Sequence, residues 1–207
     1  MPGDVIKLNF INQTADTNNS TYVIFQQNVA ENFGEIAIAW RAITNCGRGD
    51  HHPFDYPTQF MVSASDSYGN HTPQMPATNG EVYEMVRDHS GDVLVKSSMT
   101  ASSPSEVEIR NSLDMGSINA NIYRDGKLLA AKTNVAPGQK GVYLFHPIIY
   151  IGATSQIEEG EEMDSAIIQT MNTQLDLTGI NSADIIATGG GGGTGAKEFE
   201  FHLDNIR

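Results

Sequence analysis

Short runs in which apolar and polar residues alternate with a period of two dominate this chain, and no stretch sustains the 3.6-residue period of a long helix. Successive side chains of a strand point to opposite faces, so a period of two buries one face and wets the other. In the first half the pattern runs through Val5 to Ile11, Thr21 to Gln27, Glu35 to Ile43, Gln59 to Ala64, Glu81 to Val86 and Asp92 to Lys96. In the second it runs through Val107 to Ile109, Ile118 to Ile122, Leu128 to Ala131, Gly141 to Phe145, Ile148 to Ile151, Ala183 to Thr188 and Glu198 to Leu203. Within Glu35 to Ile43, the residues Ile36, Ile38 and Trp40 share one face, and Ala37, Ala39 and Arg41 the other. Ser165 to Leu175 suits a short helix, although its β-branched residues suit a strand equally well.

The punctuation between these runs is that of a β protein. Asp88-His89-Ser90-Gly91 and Arg124-Asp125-Gly126-Lys127 have the chemistry of tight hairpins. His146-Pro147 marks an edge, a bulge or a corner between sheets. Cys46 to Tyr56 and Ser65 to Asn79 read as turn-rich connections, and the Asn12 to Ser20 stretch as a polar loop. Ser97 to Ser105, SSMTASSPS, is the best boundary, being made of small polar residues and a proline. The expected fold is therefore all-β: two packed antiparallel β-sandwich halves, residues 1–98 and 105–207, with little or no helix.

Composition narrows the partners. Twelve basic and 25 acidic residues give a net charge of −13. A field of that sign repels phosphate backbones and anionic membrane surfaces, so nucleic acid is not an expected partner, whereas cations and neutral ligands such as glycans are admitted. No run approaches the ~18 apolar residues of a membrane span. Met1 to Phe10 lacks a basic segment followed by an apolar one, giving the expectation of a cytoplasmic protein, one exported without a cleaved signal, or one seen in its mature form. The sequons at Asn12, Asn18, Asn19 and Asn70 then read as Asn-rich turns. Cys46 is the only cysteine, so no intrachain disulfide forms, and its neighbours Asn45 and Gly47 place it in a turn as a structural or incidental thiol.

Candidate sites are few. Asp50, His51 and His52 form the best transition-metal candidate, because imidazole and carboxylate suit zinc or copper. Adjacent histidines on an extended chain point opposite ways, so such a site needs His71, His89, His146 or His202 from elsewhere. Glu158, Glu159, Glu161, Glu162 and Asp164 offer oxygen ligands to a hard cation such as calcium, without the spaced carboxylates of an EF-hand. Among the aromatic residues Trp40 belongs to a core strand, while Tyr56 and Tyr68 read as loop residues able to meet a ligand. Arg48-Gly49-Asp50 matches an adhesion tripeptide in sequence only. Gly189 to Gly193 lacks the Gly-Lys-Ser/Thr ending of a phosphate loop and reads as a hairpin connection. No Ser-His-Asp or paired-carboxylate arrangement is assignable from spacing.

Leu8-Asn9-Phe10-Ile11-Asn12-Gln13-Thr14, Tyr22-Val23-Ile24-Phe25-Gln26, Ile36-Ala37-Ile38-Ala39-Trp40 and Ile122-Tyr123-Arg124-Asp125-Gly126-Lys127-Leu128-Leu129 together resemble the RhiA-like proteins of soil bacteria and fungi. The resemblance implies a small acidic protein of plant- or soil-associated microbes and carries no functional residue with it. The expected function is a non-enzymatic binding or self-assembling protein, a homo-oligomer whose size grows with divalent cation. The alternatives are a calcium-dependent glycan or cell-surface binder using Glu158 to Asp164, and a metal-dependent enzyme using His51 and His52.

Overall fold

A computed structural model describes residues 5–30, 36–163, 165–171 and 173–207. The protein is all-β: strand accounts for 57% of the chain and helix for 3%, which leaves the sheets to supply the core. Among the described residues, strands β1 to β18 run over Val5–Asn12, Thr21–Phe25, Ile36–Ile38, Arg41–Ile43, His51–Pro57, Phe60–Asp66, Met75–Ala77, Glu81–Asp88, Gly91–Thr100, Val107–Asn111, Ile118–Arg124, Lys127–Val135, Lys140–Tyr143, Ile148–Thr154, Glu162–Met163, Thr173–Asp176, Ser182–Gly190 and Lys197–Asp204. Among the described residues one α-helix, α1, covers Ser165–Thr170, and a short 3-10 helix covers Gly193–Gly195. The segment with mixed propensity thus divides into α1 and β16. No helix among the described residues is long and apolar enough to cross a membrane.

The strands gather into two compact units that do not part at Ser97 to Ser105. The first takes Met1–Gln27, Ala37–Thr58 and Pro147–Arg207; the second takes Asn28–Ile36 and Gln59–His146. The small polar stretch lies inside the second unit, because it is tied down there. Gly80 N–H donates to the Glu106 carbonyl at 2.7 Å, and Ala101 N–H to the Gly80 carbonyl at 3.0 Å. Glu108, on β10, completes the clasp. Its side chain is fully buried, a position the alternation pattern assigned to a solvated charge. Ser102 donates to Oε1 through both its N–H and its hydroxyl at 2.7 Å, Lys140 through Nζ at 2.7 Å, and Arg110 donates to Oε2 at 2.7 and 3.0 Å.

In the first unit one sheet has the order β18-β17-β1-β5, with β1 parallel to β17 and antiparallel to β5. A second has the order β16-β14-β2-β4. All five residues of β2 are buried, because both of its faces are covered. Tyr22 meets Phe10, Phe199 and Phe201 on one side. Val23 and Phe25 meet Met163, Met171 and the α1 residues Ile167 and Ile168 on the other. Gly152, opposite Val23 on β14, makes this second layer fit: a Cβ there would lie 2.9 Å from the Met171 Cα. The expected strand from Glu35 to Ile43 is two, β3 and β4, broken at a bend where Ala39 and Trp40 are both fully buried. Glu35 itself lies outside the described residues. Cys46 to Tyr56 is not all loop. β5 begins at His51 and carries Pro53, which an edge strand tolerates.

In the second unit the sheets run β13-β10-β8-β9 and β12-β11-β6-β7. Both predicted hairpins form. Asp88 pairs with Gly91, and Arg124 with Lys127 across Asp125 and Gly126 at φ 52° and 70°, the left-handed pair of a type I′ turn.

Two outcomes test this packing. Gly152→Ala drives a methyl into Met171 and is expected to cost about 1–3 kcal/mol in urea denaturation; an unchanged midpoint contradicts the close approach. Glu108 is an acid-labile point of the second unit. Burial alone would raise its pKa, but Lys140, Ser102 and Arg110 outweigh that and hold it at about 2. A depressed carboxylate stabilises the fold above its ordinary pKa of 4.5 and releases that stability as pH falls toward 2. Thermal melts from pH 5 to pH 2 should therefore show a steeper loss for the parent than for Glu108→Gln, which starts about 2 kcal/mol lower.

Candidate metal centre

The site grows from the end of β1. Asn12 is buried, and every polar group it owns is engaged. Its N–H donates to the Asp50 carbonyl at 3.1 Å, and its carbonyl accepts from Gly49 N–H at 2.6 Å. Its Nδ2 donates to the Cys46 carbonyl at 2.7 Å, and its Oδ1 accepts from Thr14 N–H at 2.9 Å. One side chain and one peptide thus grip both ends of the Cys46–Asp50 loop. Within the loop, Asp50 Oδ2 accepts from Gly47 N–H at 2.7 Å, and Asp50 N–H donates to the Gly47 carbonyl at 3.1 Å.

This grip brings three ligand types together. One ligand atom each from Cys46, Asp50 and His52 lie within 4.8 Å of one another. Cys46 is 5% exposed, His52 half-buried and Asp50 exposed, so the cluster opens to solvent on the carboxylate side. Burial first, and then the Asp50 charge, push the Cys46 thiol up, against a hydrogen bond from Asn12 that lowers it. Cys46, read from the sequence as a structural or incidental thiol, is thus one of three groups placed where they could hold a metal ion. The signal that could have found it was its spacing of four from Asp50 and six from His52, a tight turn feeding a strand.

His51 does not join them. It sits on the opposite face of β5, where its Nδ1 lies 3.2 Å from Asn9 Nδ2, and Asn9 donates in turn to Asp184 at 2.9 Å. The fold brings neither His71, His89, His146 nor His202 into the cluster. The adhesion tripeptide is likewise not free, since its Asp50 carboxylate turns back onto Gly47 N–H.

The acidic loop forms a separate feature. Glu158, Glu159 and Glu161 line an open depression of about 830 Å³ with Thr21, Thr44 and Gln156. One Glu161 oxygen accepts from Glu158 N–H at 2.8 Å, closing the turn. Glu162 is exposed on β15, opposite Ile38, and Asp164 lies outside the described residues. The carboxylates are spread around a solvated turn.

The two tyrosines part company. Tyr56 is on β5 and 2% exposed, not in a loop; its ring meets Trp40 edge-on at 5.8 Å, and its hydroxyl accepts from Gln26 Nε2 at 2.9 Å. It is corrected to a core residue because strand alternation turns it inward with Phe54. Tyr68 is 90% exposed at the tip of the turn after β6. The glycine run joins β17 to β18. A Cβ on Gly189 would collide with the Glu198 carbonyl, so close backbone approach, not phosphate, explains the glycine.

Asn12→Ala is expected to strand Thr14 N–H and the Cys46 carbonyl, lowering stability by about 2 kcal/mol. A thermal melt indistinguishable from the parent would contradict its role as the clamp. Against known proteins, no family model matches the chain, and neither a curated protein nor a solved structure matches it.

Proposed function

We propose that this is a non-enzymatic binding protein whose ligand is a transition-metal ion held by Cys46, Asp50 and His52. The observation that carries the proposal is the convergence of thiol, carboxylate and imidazole within 4.8 Å. Thiolate and imidazole favour borderline ions such as zinc or copper over calcium. Three protein ligands leave a coordination position for water, or for a donor from a second copy of the chain. The latter links the site to the expected cation-dependent homo-oligomer.

A cysteine nucleophile with a histidine base is the competing chemistry. It asks for a thiol whose pKa is depressed, in a relay where imidazole stands between thiol and carboxylate. Here the thiol is pushed up, and thiol, carboxylate and imidazole lie mutually within 4.8 Å instead of in a line. That arrangement favours an ion in the middle.

The test is a zinc titration by calorimetry, with cobalt(II) as a spectroscopic probe of thiolate ligation. One ion per chain is expected. Cys46→Ser and His52→Ala should each weaken binding by about tenfold or more, and His51→Ala should leave it unchanged. The protonated thiol must release its proton on binding, so affinity should fall about tenfold per unit of decreasing pH near neutrality. Zinc bound as tightly by Cys46→Ser as by the parent would end the proposal.

A further inference from the structure

We propose that a cleft in the second unit, independent of the metal centre, binds a neutral, hydroxyl-rich ligand of the glycan class. The cleft lies between the segment following β6 and the β8–β9 hairpin and encloses about 490 Å³. That is within the roughly 300–1,000 Å³ of small-molecule sites. Asp66, Asn70, His71 and Asp92 supply its polar lining, and Met85 and Leu94, both buried, supply apolar surface.

The polar groups are held in place before any ligand arrives. Asp66 Oδ1 accepts from Tyr68 N–H at 2.8 Å and Asn70 N–H at 2.9 Å, and its Oδ2 from Asn70 Nδ2 at 2.8 Å. Asp92 takes a two-pronged bond from Arg87, with Nε at 2.7 Å and Nη2 at 3.0 Å. Arg87 answers the charge of Asp92, the amide donors fix the oxygens of Asp66, and the remaining lone pairs of both stay in place as acceptors. Groups fixed in advance lose little entropy on binding. A cleft of this kind asks for hydroxyl donors more than for a cation. Tyr68 is outside the lining, on the turn that borders the cleft, two residues from both Asp66 and Asn70, with its ring 90% exposed. A sugar presents hydroxyls at its edge and a C–H face to such a ring, so one ligand meets both demands. A metal ion fits less well. Among the described residues, only Cys46, Asp50 and His52 converge as a set of three, and the cleft's Asp66, His71 and Asp92 do not.

Saturation-transfer NMR and calorimetry on the full chain test the proposal, with methyl α-mannoside, cellotriose and chitotriose as neutral probes and spermidine as a cationic one. All are run in EDTA, so that failure of the metal site and failure of the cleft are separate results. At least one saccharide is expected to bind with Kd of about 1 mM or tighter. Tyr68→Ala and His71→Ala, both at exposed positions, should each weaken it by about fivefold, and His202→Ala on β18 should not. Three outcomes overturn the proposal: no saturation transfer to any of the three saccharides, binding of spermidine in their place, or saccharide binding unaltered in Tyr68→Ala combined with His71→Ala.

Discussion

The carboxamide and peptide of Asn12 are where the first unit is tied together. Asn12 still pairs with Ala187 of β17, while its peptide bonds to Gly49 and Asp50 and its carboxamide to Cys46 and Thr14. The Cys46–Asp50 loop inherits its shape from those bonds, and so does the turn to Thr14, whose hydroxyl lies 3.1 Å from that of Tyr22. Tyr22 in turn is the ring on which Phe10, Phe199 and Phe201 gather. A buried amide with all its partners in place is among the more costly groups to disturb, because each lost bond leaves a second group unsatisfied out of reach of water.

Much of the secondary structure was legible because strand faces follow sequence parity. The Asp125-Gly126 hairpin, the return from Asp88 to Gly91 and the inward phenylalanines of β18 could be read directly. What escaped depended on distant partners. Glu108 reads as solvated until Lys140 and Arg110 are placed beside it. Pro53 reads as a loop residue until β5 is known to be an edge. Trp40 and Ala39 are both buried because the chain bends there, and parity alone cannot announce a bend. The candidate centre was half legible: Asp50 and His52 stood out by residue type, whereas Cys46 needed the loop to close. The division into units was illegible for a related reason. It follows pairings such as Phe10 with Ile185, which local composition around Ser97 to Ser105 cannot report.

The charge of −13 takes on a more particular meaning with the side chains in place. Several carboxylates serve local turns instead of a collective field. Asp16 accepts from Asn18 and Ser20, Asp66 from Tyr68 and Asn70, Asp88 from Ser90 and Asp176 from Thr178. These are Asx-type caps that replace absent backbone partners. A protein rich in short strands needs many such turns, and part of its acidity is a by-product of that architecture.

The parallel pairing of β1 with β17 has a consequence for how the chain is made. The two strands are separated by most of the sequence, and the second unit's 59–146 segment emerges between them. On a ribosome, β1 and β2 wait with unsatisfied edges until residues 147–207 have been synthesised, while the intervening segment has already been released and can condense. Non-local closure of this kind is slow, since the chain entropy must be lost before the contacts reward it. The interval leaves Phe10, Tyr22 and Phe25 without their late partners, so the first unit carries apolar surface for longer than the second during synthesis.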